Sequence, residues 1–240
     1  MQRYNDLNDS QRRRYARNIA LDGFGEAGQL RLLNAHAVII GAGALGSNVA
    51  IALAASGVGR ITVRDFDTID ISNLQRQTAY TTFQAGMYKV EQLRNRMLEI
   101  NPEIDVITFP YPVRSDNINE LTDNCDIIVE GSDNPATKHL VARVAAEAGI
   151  PCVLGGVSGW SGQVTVVSAQ DSYSEIFGDA VCGGIMPCAQ GGVAGPVAAT
   201  VAQIQATEVL KILTGAGETL RGRLLVFDAL KCTVNIFEIN

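Results

Sequence analysis

The chain has 240 residues, 47% of them hydrophobic and 18% charged. That balance supports a substantial buried core and excludes an intrinsically disordered chain. A formal net charge of −6 gives no basis for a nucleic-acid-binding surface, although local cations remain free to serve a phosphate.

In chain order, residues 1–34 are expected to form an N-terminal helical segment. The opening MQRYNDLNDSQRRRYARN has no apolar signal core, so a cytoplasmic location is expected. From Ala35, AHAVIIGAGALGSNVAIALAASGVGRITVRDFD reads as strand, glycine turn, helix and strand. Val38–Ile40 is an apolar run too short for a helix, Ala44–Ser56 has helical spacing closed by Gly57 and Gly59, and Ile61–Val63 leads into Asp65. TTFQAGMYKVEQLRNRMLEINPEI predicts a helix that stops near Asn101-Pro102, where proline opposes continuation. IDVITFP reads as a strand, SDNINEL as a short helix, and CDIIVEGSDN as a strand with a polar end. PATKHLVARVAAEAG is a helix with Pro135 in its first turn, and IPCVLGGV is a fifth strand.

This alternation predicts an α/β fold: a Rossmann-like, mostly parallel sheet with helices on both faces. After Gly162 the strands GQVTVVS, GRLLVFDA and KCTVNIFEI follow in close succession, partly antiparallel, around a helix over Pro196–Leu213. That helix lies in VAGPVAATVAQIQATEVLKIL, which Pro196, Gln203, Gln205 and Glu208 interrupt too often for a membrane span. A single domain over 1–240 is expected, with a nucleotide-binding part over 35–160 and a C-terminal part over 161–240. Residues 169–195, rich in glycine and polar residues, have the character of a binding loop. The five cysteines, at 125, 152, 182, 188 and 232, form no CxxC pair and are expected to be reduced thiols.

Gly41, Gly43 and Gly46 in GAGALG fit GxGxxG between a strand and a helix. Glycine allows the tight turn and lets backbone approach a phosphate, while the helix N-terminus supplies free N–H groups. Asp65 stands about 20 residues further on, where an acid hydrogen-bonds ribose hydroxyls. The motif alone does not separate NAD from ATP. DFDTIDISNLQRQ then adds Asn73 and Arg76, and Lys89 follows. A pyrophosphate already served by the helix N-terminus has little use for these cations, whereas a triphosphate does. Taken singly, Arg76 reads equally as a solvated residue and Lys89 as the outer face of an amphipathic helix. Asp133 follows the fourth strand at the ligand-binding edge of the sheet; it could hold Mg²⁺, or either it or Asn134 could cap the next helix.

These motifs resemble the HesA/MoeB/ThiF family, relatives of ubiquitin-activating enzymes that adenylate the C-terminus of a ubiquitin-like sulfur carrier. The resemblance runs from RYARNIALDGFGEAGQLRL through GAGALGS, DFDTIDISNLQRQ, KVEQLRNRMLEINP, GSDN and GQVTVV to GVAGPVAATVAQIQATEVLKILTG and FDAL. It implies that Gly41, Gly43, Gly46 and Asp65 hold the nucleotide and that Asn73, Arg76 and Lys89 engage its phosphates. It further implies that Asp133 positions Mg²⁺, that Arg17 enters a neighbouring subunit's ATP site, and that the assembly is a homodimer. The implied substrates are ATP and a sulfur-carrier protein ending in Gly-Gly, in thiamine or molybdopterin synthesis, with no nucleic-acid or membrane partner. Cys188 occupies the family's crossover-loop position, where it reads equally as a nucleophile toward the activated carrier and as an inert small residue. Many family members carry two CxxC pairs that bind zinc. Here DSYSEIF stands in the first region and Cys232 alone near the end, so no structural zinc is expected. Three alternatives stay open: an NAD-dependent oxidoreductase, an adenylating enzyme acting on a peptide or tRNA, and a non-catalytic protein that keeps only the fold.

Overall fold

The computed structural model describes residues 4–168 and 192–239. Helices α1 (Asp9–Arg14), α2 (Ala16–Ile19) and α3 (Gly25–Asn34) precede β1 (His36–Ile40), α4 (Gly46–Ser56), β2 (Arg60–Arg64), α5 (Lys89–Ile100) and β3 (Asp105–Phe109). Next come β4 (Ile127–Glu130), α6 (Pro135–Glu147), β5 (Cys152–Ser158) and β6 (Ser161–Val167), then α7 (Gly195–Thr214), β7 (Arg223–Asp228) and β8 (Thr233–Glu238).

The strands form one sheet in the order β3-β2-β1-β4-β5-β6-β7-β8. Pairing is parallel from β3 to β5 and antiparallel from β5 to β8. The chain leaves β1 toward β2 on one side and returns to β4 on the other, which makes the carboxyl end of β1 a topological switch point. β1 is buried along its whole length because both sheet faces are covered. One face packs Ile39, Ile61 and Val63 with Leu53 of α4, Leu93 of α5 and Val201 of α7. The other packs Val38, Ile40 and Ile128 with Val141 and Ala145 of α6. β8 is exposed throughout.

Helices α1 and α2 sit at the amino ends of the strands. Asn18 Nδ2 donates to the carbonyl of Ser56, the last residue of α4, at 3.3 Å, and Tyr15 accepts from Asn101 Nδ2, just past α5, at 2.9 Å.

Two sequence expectations need correction. The helix expected from Thr81 begins only at Lys89, since Gly86 takes φ +85° and Thr68 pairs with Tyr88, which holds the preceding chain extended. Thr82–Gln84 is a lone 3-10 turn. The short helix expected over SDNINEL shrinks to a 3-10 turn at Ile118–Leu121. Among the described residues no helix is long and apolar enough to cross a membrane.

Candidate nucleotide site

At the switch point, each glycine of GAGALG has its own physical reason. Gly41 takes φ +91°, a conformation L side chains rarely adopt, and its N–H donates to the Arg64 carbonyl at 2.8 Å. A Cβ on Gly46 would run into the carbonyl of Gly41, so glycine there lets α4 start directly against the turn. Gly43 is different. A Cβ on it would meet only Gln77 Nε2, 3.7 Å away, so its side faces open space. Tyr80, buried beneath, donates to the Ala42 carbonyl at 2.7 Å and fixes the loop from below.

Around this loop runs a cleft of about 540 Å³, within the usual range for a small-ligand site. Gly41, Gly43, Asp65, Arg76, Lys89 and Asp133 all line it. Asp65 is mostly buried, and its two oxygens accept from the N–H groups of Ala42 at 2.6 Å and Asp67 at 2.7 Å. Burial pushes its carboxyl pKa up, against the lowering effect of those two bonds and of Lys89. Lys89 is nearly sealed, and its ammonium lies 2.8 Å from the Asp67 carboxylate. Arg76 donates from Nη1 to the Ser72 carbonyl at 3.0 Å and has no carboxylate partner among the described residues.

Asp133 is exposed at the cleft and makes no hydrogen bond or ion pair among the described residues. Capping falls instead to Asn134, whose Oδ1 accepts from Ala136 N at 2.9 Å and Thr137 N at 3.2 Å. Beneath this loop the fully buried Glu130 accepts from Ser132 N at 2.9 Å and pairs with Lys138, whose Nζ also donates to the Gly155 carbonyl at 2.8 Å. The floor under Asp133 is therefore locked, while Asp133 itself is engaged by none of the described residues.

Two of the expected site residues stand apart. Asn73 is not in the cleft wall; its Oδ1 accepts from Asp70 N at 3.2 Å in the reciprocal cap of the turn Ile71–Asn73. Arg17 lies exposed on α2, beside the C-terminal end of α4, whereas the glycine loop is at the N-terminal end. An 11-residue helix separates the two, a span of roughly 16 Å, so Arg17 does not reach its own chain's cleft. Gly46 shapes the turn without lining the cleft. Cys182 and Cys188 lie outside the described residues. Cys152 is fully buried and Cys125 mostly so, and burial pushes the Cys125 thiol up to about 12. Among the described residues no group of three or more His, Cys, Asp or Glu side chains converges on one point.

Sequence reasoning missed Asp67, Arg64 and the Tyr111–Val113 wall of the cleft. The one local signal was Arg64, a charge closing the apolar run ITV.

A ThiF family model matches residues 15–240. The chain is 40% identical over 233 residues to a Mycobacterium tuberculosis protein named probable adenylyltransferase/sulfurtransferase MoeZ, covering 94% of this chain and 59% of that protein. It thus spans less than two thirds of MoeZ. It is 39% identical over 229 residues to the SAMP-activating enzyme E1 of Haloferax volcanii, covering 95% and 85% of the two chains. It is 37% identical over 228 residues to the sulfur carrier protein adenylyltransferase of Thermus thermophilus, covering 92% and 84%. In fold it is similar to the crystal structure of PaaA, with TM-score 0.83 at 23% identity over 98% of this chain and 76% of the other.

Proposed function

The chain belongs to the ThiF family, and from that premise we propose that it adenylates the C-terminal carboxylate of a ubiquitin-like sulfur carrier ending in Gly-Gly, using ATP and Mg²⁺ in this cleft, in the cytoplasm. One observation carries the reading. Arg76 and Asp133 line the same cleft, and neither has a partner of opposite charge among the described residues. A triphosphate with a divalent cation supplies both: phosphate oxygens for Arg76 and the metal for Asp133. A dinucleotide brings no divalent metal ion with it for Asp133 to meet. The names of the Thermus and Haloferax relatives support a protein carrier as the second substrate.

The chemistry needs little more from the chain. A carboxylate is a poor acyl donor because its oxygen leaves badly. Its attack on the α-phosphorus forms the acyl–O–P bond and expels pyrophosphate, and AMP then becomes the leaving group. The carrier carboxylate is already ionised near neutral pH, so no general base is required. What must be offset is repulsion between the two anions. The α4 N-terminus, Arg76 and Lys89 would do this from the protein side. A single carboxylate suits Mg²⁺, which keeps waters and phosphate oxygens as its other ligands. Bound there, the ion would neutralise charge on the phosphates.

Arg17, too far from its own cleft, would serve the cleft of a second copy in a homodimer. Cys188 would be the acceptor if the carrier passes to a thiol. The test is carrier-dependent exchange of pyrophosphate into ATP. Wild type is expected to exchange; Asp133→Ala and Arg17→Ala are each expected to fail, and mixing the two variants is expected to restore part of the activity through one intact hybrid site. No exchange by wild type with any Gly-Gly carrier would contradict the assignment, and no rescue on mixing would contradict the shared site.

A further inference from the structure

The cation at the end of β2 takes no part in the reading above. Arg64 lines the cleft, yet only 3% of it is exposed. Its guanidinium is fixed from two directions: Nη2 donates to Glu120 at 2.7 Å, and the group lies 4.4 Å from the centre of the Phe109 ring and 5.4 Å from that of Tyr111. Nε and Nη1 are buried and have no acceptor among the described residues. Buried donors are nearly always satisfied, and a charged donor left unmet is more costly than a neutral one. Two such donors on one cleft residue call for an acceptor brought by the ligand.

The order of loops along the carboxyl edge of the sheet says which part of the ligand that is. The loop of Asp133 follows β4, the glycine loop follows β1, Asp65 follows β2, and Tyr111 to Val113 follow β3. With phosphates at the glycine loop and ribose at Asp65, the base lies toward the ends of β2 and β3. The wall there consists of Ile40, Arg64, Tyr111, Pro112 and Val113. Arg64 carries the only positive charge among them, with Asp65 and Asp67 at the turn that leaves β2. Apolar walls around one fixed cation suit a flat heterocycle that presents acceptors.

We infer that Arg64 is the base-reading residue of the cleft, one of its two unmet N–H groups donating to a ring-nitrogen acceptor of a purine. The inference rests on the nucleotide assignment above and deepens it. It explains why a cation occupies the buried last position of β2, where leucine or valine would pack without leaving unmet donors.

The test measures binding of ATP, of 1-, 3- and 7-deaza-ATP, and of base-free ribose 5-triphosphate to wild type, Arg64→Met and Arg64→Lys. One lost hydrogen bond to a charged donor corresponds to roughly 10- to 100-fold in affinity. Wild type is expected to lose about that much with at least one deaza analogue. Arg64→Met is expected to lose a similar factor with ATP, no further factor with that analogue, and nothing with ribose 5-triphosphate. Arg64→Lys, which keeps the charge without the planar fork, is expected to behave like Arg64→Met. If all three deaza analogues bind wild type as ATP does, the inference fails whether or not the variants fold. It also fails if Arg64→Met weakens ribose 5-triphosphate as much as ATP. A wild type that binds no nucleoside triphosphate would sink the adenylation reading itself.

Discussion

The ammonium of Lys89 lies 2.8 Å from the carboxylate of Asp67, with the lysine side chain 6% exposed and the aspartate 49%. Asp67 sits two residues past Asp65, so the chain that turns out of β2 supplies both an acid for the cleft and the counter-ion that tolerates a buried cation beside it. An incoming phosphate would compete with Asp67 for that ammonium. Asp67→Asn is expected to lower stability by about 1 kcal/mol, because a nearly sealed charge loses a half-exposed partner. Mg-ATP supplies a replacement anion, so its stabilising shift in melting temperature is expected to be larger in Asp67→Asn than in wild type. Equal shifts in thermal denaturation would show that Lys89 does not meet the nucleotide.

The glycine loop separates folding from binding. Gly46→Ala forces a methyl group against the Gly41 carbonyl and is expected to destabilise the protein by about 1–3 kcal/mol. Gly43→Ala has room for its methyl group, so urea denaturation is expected to give a near wild-type midpoint. Calorimetric titration with ATP is expected to show weakened binding, because the methyl group stands where the backbone would approach a phosphate.

The adjacent residues Asp133 and Asn134 are expected to fail in opposite assays. Asn134→Ala removes the α6 cap, a loss of about 1 kcal/mol, or about 2–4 °C in melting temperature for a chain of this size. Asp133→Ala removes a side chain with no partner among the described residues, and its melting temperature is expected to stay within the effect of an ordinary surface change, about 0.5 kcal/mol. A large drop for Asp133→Ala would place it in the scaffold instead of the site.

His36 gives the fold an acid-sensitive element far from the cleft. Its Nδ1 lies 2.7 Å from the Asn124 carbonyl and its Nε2 2.8 Å from Thr62 Oγ1. A carbonyl only accepts, so Nδ1 carries the proton and Nε2 accepts from the threonine hydroxyl. Burial lowers the pKa below its ordinary 6.5, despite the opposing Asn124 carbonyl and the nearby Asp126 and Asp105. Below that pH the unfolded chain binds more protons than the folded one, so this contribution to stability is complete above about 6.5 and is lost as pH falls through the folded value. The stability gap between wild type and His36→Gln, read from urea midpoints, is expected to shrink from about pH 7.5 to about pH 5.5. A gap that stays constant would contradict this.

How much of this was legible in the sequence depends on the range of the forces involved. The strand, turn and helix over residues 36–56 are readable because a short apolar run, glycines with distinct steric duties and a helical period all act locally. The start of α5 is not, because Met87 and Tyr88 are held extended by pairing with chain 20 positions earlier, which no helical periodicity registers. Arg64 was visible as a charge, but its partner Glu120 lies 56 positions away, and the cleft wall it shares with Tyr111 exists only once β2 and β3 are paired. Asn73 shows the converse: its motif position suggests a phosphate ligand, whereas its side-chain oxygen caps its own turn and the residue does not line the cleft.

The central claim is tested most directly by following which phosphorus of ATP reaches the carrier. Wild-type protein would be mixed with Mg-ATP labelled at either the α- or the γ-phosphorus and with a carrier ending in Gly-Gly. The account predicts carrier-bound label from α-labelled ATP only, all γ-label in released pyrophosphate, and no labelling of a carrier whose terminal carboxylate is amidated. Label arriving from the γ-phosphorus, or equal labelling of the amidated carrier, would contradict it.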